Sequence, residues 1–382
     1  MKVAVLGFGT VGVGVYEMLQ HAQGLEAGPV LVRPGKDDAP FKVTTIEQIV
    51  QDPSVGAVAE VMGGVEPAFS YGAAVLRAGK HFVTSNKALV AAKGIELNAI
   101  AREHGAAFLF SAACGGGVPF LHNLSIARES DEILSMGGIL NGTTNYMLDA
   151  MQRLGLDYGD ALKDAQRLGY AEADPRADVS GLDALRKIML ACAVAYDALP
   201  TEGLLNEGIE SVTAADVAHF RSRGYTCRLL AKGSRAGGEK VSAYVEPVLL
   251  RDGAPECAVL ANYNMASYEG KCSGPIVLMG QGAGRYPTAS AVLRDLGCIL
   301  HGKHYMLQEN CRLANADNSR NEHAYYVRLP AEHAAEIPAE SAELDGDVVR
   351  IITKPVSVSQ MHFMAERLRA AGVELFFAAI GG

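Results

Sequence analysis

The densest run of chemistry-bearing residues lies between Gly169 and Lys187, in Gly169-Tyr170-Ala171-Glu172-Ala173-Asp174-Pro175-Arg176-Ala177-Asp178 followed by Val179-Ser180-Gly181-Leu182-Asp183-Ala184-Leu185-Arg186-Lys187. Asp183 and Lys187 stand four apart, so on a helix they share one face, with the acid N-terminal to the base. On a surface helix that pair would be a solvated ion pair. Here its stripe continues through Leu190, Ala191 and Val194, and the other side carries Leu185, Ile188, Met189 and Cys192. A helix that is apolar all round is buried. A lysine entering it loses water, which favours its neutral form and suits it to exchange a proton.

A second lysine, Lys87, follows Thr84-Ser85-Asn86 directly after a run that reads as a strand. In open parallel sheets ligands lie beyond the carboxyl ends of strands, so Lys87 is expected to face a cofactor and substrate. The cofactor is suggested by Gly7-Phe8-Gly9-Thr10-Val11-Gly12, which follows the apolar run Val3–Leu6 and precedes a helical stretch. In that context GxGxxG holds a dinucleotide. The first glycine makes the tight turn, the second lets the backbone approach the pyrophosphate, the third allows close packing, and the helix N-terminus faces the phosphates. The next strand, Val30–Val32, ends in Arg33 with Lys36 close behind, where an NAD site usually carries an acid. Cations there favour a 2′-phosphate, so NADP is expected to be preferred, with NAD possible.

The elements that must position these groups alternate. Strand-like runs at Val3–Leu6, Val30–Val32, Ala57–Met62, His81–Thr84 and Ala107–Phe110 are separated by helical stretches such as Ala68–Ala78 and Gly94–Glu103, the pattern of a doubly wound parallel sheet. Beyond Val118-Pro119 the helices lengthen, at Tyr146–Leu154, Tyr158–Leu168 and Leu182–Ala198, with strands at Ser242–Leu250 and Pro275–Met279. The expected class is α/β. A Rossmann-type domain spans residues 1–125 and is joined again by about 285–310, a substrate, catalytic and dimerisation domain spans 126–284, and a small α+β module spans 320–382.

Composition narrows the partners. The 382 residues are 49% hydrophobic and 20% charged, with a net charge of −9 and no dense basic block, which disfavours nucleic acid and polybasic membrane attachment and favours a small-molecule substrate. The longest apolar run, Ile188 to Tyr196, is too short to span a bilayer. The N-terminus passes from Met1 through one short strand to glycine, with no signal-peptide pattern, so a cytoplasmic protein is expected. Seven cysteines form no CxxC pair, which points to reduced thiols and no zinc.

Five ordered segments carry a family resemblance: Gly7–Gly12, Ala78–Leu89, Gly138-Ile139-Leu140-Asn141-Gly142-Thr143-Thr144-Asn145-Tyr146, Gly169–Lys187, and Gly282-Ala283-Gly284 with Pro287-Thr288-Ala289. Together they resemble homoserine dehydrogenase over roughly residues 1 to 300. The resemblance implies interconversion of L-homoserine and L-aspartate 4-semialdehyde, a step towards threonine, methionine and isoleucine, by a homodimer formed through the substrate domain. It implies that Lys187 donates the proton, that Lys87 stands beside nicotinamide and substrate, and that Glu172 and Asp183 bind the substrate, with Asp178 in support. It also implies that Gly7, Gly9, Thr10, Val11, Gly12, Ser85, Gly169, Gly282 and Ala283 lie along the cofactor.

Two departures stand out. Where the family usually carries a glutamate that helps bind sodium, this chain has Ser111, in Phe110-Ser111-Ala112-Ala113-Cys114-Gly115-Gly116-Gly117-Val118. Carbonyls of Cys114, Gly116 and Val118 could still coordinate a hard cation, but without the carboxylate no tightly bound metal is expected. The terminal module has the strand and helix order of an ACT tail, yet Pro330-Ala331-Glu332-His333 replaces the usual Asp-x-Pro-Gly turn, which counts against threonine control. Two rival readings are an aldehyde dehydrogenase with Cys114 as nucleophile and a non-catalytic dinucleotide sensor.

Overall fold

The computed structural model describes residues 1–33, 35, 39–237 and 240–381, so Lys36 lies outside the described residues. Contacts divide the chain into two units. The first comprises Met1–Ile133, Met189–Leu199 and Glu269–Leu313, and the second comprises Leu134–Ile188, Pro200–Tyr268 and Ala314–Gly382.

In the first unit the strands are β1 (Lys2–Leu6), β2 (Glu26–Leu31), β3 (Lys42–Val43), β4 (Val55–Glu60), β5 (His81–Thr84) and β6 (Phe108–Leu109). They form one sheet in the order β3-β2-β1-β4-β5-β6 with every pairing parallel. Val3, Ala4, Val5 and Leu6 are fully buried, as are Ala57, Val58 and Ala59, because successive side chains point to opposite faces and helices cover both. The order reverses direction at β1, and the carboxyl ends of β1, β4 and β5 gather the glycine turn, Glu60 and Ser85–Lys87 on one rim. The helix Arg285–Leu300 belongs to this unit. It packs on the helix Thr10–Leu19 so closely that a Cβ at Gly14 would lie 2.7 Å from the Arg285 side chain.

The second unit is built on a mixed sheet. Its strands run in the order Tyr263–Gly270, Ile133–Ile139, Tyr225–Gly237, Lys240–Arg251, Phe376–Ile380, Tyr325–Pro330, Val348–Thr353 and Ala339–Asp345. The last strand of the chain therefore pairs with the body of the unit, Val248 opposite Ala379 in parallel register. One core runs through Ile139, Leu230, Val248 and Met265 into Tyr325, Val327, Ile351, Met361, Leu368 and Phe377, so the terminal strands and the helix Val358–Ala370 share their apolar interior with the rest of the unit.

Candidate functional site: a dinucleotide cradle and a buried lysine–carboxylate cluster

The glycine turn has the shape that its spacing requires. Gly7 sits at φ +98°, a conformation open to glycine. A Cβ at Gly12 would lie 2.1 Å from the Gly7 carbonyl oxygen, whereas a Cβ at Gly9 would meet nothing within 4 Å. The third glycine is thus needed for packing, and the second leaves open space beside the backbone for an incoming group. Gly9 begins the helix Thr10–Leu19, and no side chain caps its N-terminus, so its amide dipoles point at that space. Thr10 and Gly9 are exposed and Val11 is half-buried. These residues fit the pyrophosphate of a dinucleotide.

Val32 is buried and Arg33 is exposed immediately after it, just past the strand Glu26–Leu31. On the neighbouring strand ends, Glu60 is fully buried and accepts from the Met62 amide at 2.7 Å, the Gly63 amide at 3.3 Å and the Thr84 hydroxyl. Burial raises its pKa, and those hydrogen bonds work against the rise. The Ser85 amide donates to the Glu60 carbonyl at 3.1 Å. Asn86 then caps the helix Lys87–Glu103, accepting from the Leu89 amide at 3.1 Å and donating to the Gly64 carbonyl. Lys87 is the first residue of this helix and half-buried. A cation at the positive end of a helix dipole is unfavourable in itself.

The loop after β6 carries the departure noted above. The Ser111 amide donates to Asp295 at 2.7 Å and its hydroxyl donates to the same carboxylate at 2.5 Å. Asp295, on the helix Arg285–Leu300, is 1% exposed, and burial pushes its pKa up to about 6 against those two bonds. The Ser111 hydroxyl is thus committed to a carboxylate and does not replace the anionic cation ligand. Among the described residues no group of three or more His, Cys, Asp or Glu side chains could hold a metal ion. Farther along the loop, the Gly117 amide donates to the Gln281 carbonyl at 3.0 Å, and a Cβ at Gly116 would lie 2.5 Å from the Gly282 carbonyl oxygen. Gly282 and Ala283 are therefore backed directly by this loop. Cys114 within it is fully buried.

In the second unit the sequence blocks around Asn141 and Lys187 meet. The helix Leu182–Tyr196 is buried except at Leu182 and Arg186, with Met189 half-buried. Asp183 and Lys187 are each 8% exposed. The Lys187 ammonium lies 2.6 Å from Asp183 Oδ2 and donates to the Leu140 carbonyl at 2.6 Å. Asn141 donates to Asp183 Oδ2 at 2.9 Å and to Asp178 Oδ1 at 2.8 Å. The Thr143 hydroxyl reaches Asp178 Oδ2 at 3.2 Å and the Tyr170 carbonyl at 2.6 Å. Burial raises the Asp178 pKa, Asp183 adds to the rise, and the bonds from Asn141 and Thr143 and the charge of Lys187 oppose it. With both carboxylates ionised the trio carries one net negative charge, which a substrate ammonium would neutralise.

Asp178, Asp183 and Lys187 are thus brought together. Glu172 is not part of that cluster: it is exposed on the turn after the helix Tyr158–Arg167, its carbonyl accepting from Gln166 at 3.2 Å. Gly169, at φ +75° with open space around it, closes the same helix. Asn141, Glu60 and Asp295 are buried polar residues near these groups that the sequence does not single out. Only Asn141 carried a signal, an Asn three residues before Thr144 at a helix start.

Comparison with known proteins supplies the family. The model described as homoserine dehydrogenase matches residues 119–296, and that described as homoserine dehydrogenase, NAD binding domain, matches residues 7–111. The chain is 41% identical to a homoserine dehydrogenase from Synechocystis over 313 residues, covering 78% of this chain and 72% of that protein. A crystal structure of a homoserine dehydrogenase from Thiobacillus denitrificans superposes with a TM-score of 0.88 at 29% identity, over 100% of this chain and 98% of the other. A hyperthermophilic archaeal homoserine dehydrogenase mutant in complex with NADPH gives a TM-score of 0.66 at 26% identity, over 77% and 96% of the two chains. With a parallel Rossmann-type sheet, an NAD-binding domain and relatives matching over most of its length, the chain belongs to the homoserine dehydrogenase family.

Proposed function

We propose that the chain interconverts L-homoserine and L-aspartate 4-semialdehyde, using NADP in preference to NAD. The observation that carries this reading is the cluster of half-buried Asp178 with buried Asp183 and Lys187, with the Lys187 ammonium 2.6 Å from Asp183 Oδ2. A nicotinamide dinucleotide, when bound, supplies or accepts the hydride at the substrate carbon. Gly7, Gly9, Thr10, Val11 and Gly12 would hold its pyrophosphate, Ser85 and Lys87 would stand towards its nicotinamide end, and Gly169, Gly282 and Ala283 would line it. Arg33, with Lys36, would favour a 2′-phosphate, and the NADPH bound by the archaeal relative agrees with that choice.

In this reading Lys187 places its ammonium at the substrate oxygen, where it stabilises developing negative charge and provides the proton during reduction. In the direction of oxidation the same amine takes the hydroxyl proton. Asp183 orients Lys187 and, with Glu172 from its exposed turn, attracts the substrate ammonium. Lys87 adds a second cation at the substrate. We further propose a cytoplasmic homodimer that needs no tightly bound metal. Its working parts would be a dinucleotide-binding region at 1–125 with 285–310, a catalytic and dimerisation region at 126–284, and an ACT-like tail at 320–382.

The test is a spectrophotometric assay of homoserine oxidation with each dinucleotide. NADP-linked turnover is expected to have the higher kcat/KM, and Arg33→Ala is expected to narrow the ratio. A kcat/KM favouring NAD by about tenfold or more, about 1.4 kcal/mol of discrimination, would overturn the NADP preference. No turnover with either dinucleotide in folded protein would overturn the reaction.

A further inference from the structure

We propose that Asn141 is a positioning residue for this reaction: by donating one amide proton to Asp178 and the other to Asp183, it holds two like-charged carboxylates together beside Lys187. The inference rests on the assignment of Asp183 and Lys187 to the substrate site made above.

The orientation of the Asn141 amide is fixed by its surroundings. Its oxygen accepts from the Thr144 amide at 2.9 Å and from the Thr144 hydroxyl at 3.0 Å, capping the helix Gly142–Leu154. Its nitrogen must then face the carboxylates, and its two N–H groups meet Asp178 Oδ1 at 2.8 Å and Asp183 Oδ2 at 2.9 Å. A flipped amide would set a carbonyl oxygen against both anions and leave the cap unmade.

The two acids come from different elements, Asp178 from the short helix Arg176–Val179 and Asp183 from the start of Leu182–Tyr196. The charged and polar groups facing Asp178 are Asn141, Thr143, Asp183 and Lys187. Without the shared donor, two carboxylates held within reach of one amide group repel, which favours uptake of a proton by one of them. Protonation of Asp178 would remove the net negative charge that suits the trio to a cationic substrate group. Loss of the Asn141 donor would also take from Asp183 Oδ2 the hydrogen bond, 2.9 Å long, that it accepts beside its contact with Lys187. The backbone adds a further link, because Leu140, whose carbonyl accepts from Lys187 at 2.6 Å, immediately precedes Asn141.

Asn141 therefore performs two tasks that substitution can separate. Aspartate is as good a helix cap as asparagine, but it has no donors and brings a third carboxylate to the cluster. If capping were the whole role, Asn141→Asp would behave like wild type. If the bridge matters, Asn141→Asp, though it keeps the helix cap, loses about 10- to 100-fold in kcat/KM for homoserine, the loss of a charge-assisted hydrogen bond. Its KM for NADP is expected to stay near the wild-type value. The acid limb of its kcat/KM profile is expected to move to higher pH, because the cluster then retains a proton that wild type releases.

Wild-type turnover and an unshifted pH profile in Asn141→Asp would overturn the proposal. Losses in Asn141→Asp and Asn141→Ala that follow melting temperature alone would overturn it as well. Should Asn141→Asp fail to fold, Asn141→Ser, which caps a helix but offers a single hydroxyl, carries the same expectation for activity. Inactive wild type would remove the proposed reaction and this role with it, a result distinct from active wild type with an equally active Asn141→Asp.

Discussion

Replacing Asp295 by asparagine should remove a defined piece of the protein's pH-dependent stability. Asp295 is 1% exposed, and burial lifts its pKa to about 6 from 3.8. Because the folded value is the higher one, the folded state binds the proton more tightly than the unfolded chain. Its contribution is complete below about pH 4, falls as the pH rises towards 6 and is gone above that. Taken at 1.36 kcal/mol for each pH unit, the displacement is worth about 3 kcal/mol over the full window and about 1 kcal/mol between pH 7 and pH 5. Asparagine keeps the shape and an acceptor for the Ser111 amide, which lies 2.7 Å from the carboxylate, but does not titrate. Denaturant unfolding of wild type and Asp295→Asn at both pH values isolates the residue, because Glu60 and Asp178, whose pKa values burial also raises, are present in both proteins. The expected result is that wild type gains about 1 kcal/mol relative to the variant on going from pH 7 to pH 5. Equal changes in the two proteins would refute the claim that this carboxylate is buried against its ionisation.

Gly9→Ala is expected to fold normally and to weaken dinucleotide binding, measured by fluorescence titration, because its methyl fills space open to the phosphate. Gly12→Ala is expected to unfold at lower denaturant, since its Cβ would lie 2.1 Å from the Gly7 carbonyl oxygen. Lys87→Ala, at the first residue of the helix Lys87–Glu103, is expected to fold and to lower turnover of homoserine in a steady-state assay.

What the sequence reveals and what it conceals follow from how local each signal is. The glycine turn is legible because its conformation is fixed by neighbours in the chain, and the Asp183–Lys187 pair because a helix places four-residue neighbours together. The strand Glu26–Leu31 contains Gly28 and Pro29, which shorten its apolar signature to Val30–Val32. Ala339–Asp345 is exposed throughout at the sheet edge, so it shows no alternation to read. Tyr225–Gly237 buries Arg228, whose charge disguises a central strand and is balanced by Asp149 at 3.6 Å. Glu60, Asn141 and Asp295 acquire their roles from partners at a distance: Asp295 answers Ser111 from 184 residues away, and Asn141 meets Asp183 across 42. No local pattern encodes such a meeting. The terminal segment reads as a separate module because its order of elements is self-contained, while its burial against Val248 and Leu250 depends on the complementary surface of the second unit.

The central claim is that Lys187 provides and removes the proton at the substrate oxygen. Steady-state oxidation of homoserine by Lys187→Ala, with dinucleotide binding followed on the same preparation, tests it most directly. A fall in kcat of about 100- to 10,000-fold, the usual contribution of a general acid–base group, with dinucleotide affinity unchanged, is the predicted result. Turnover at the wild-type rate would contradict the account.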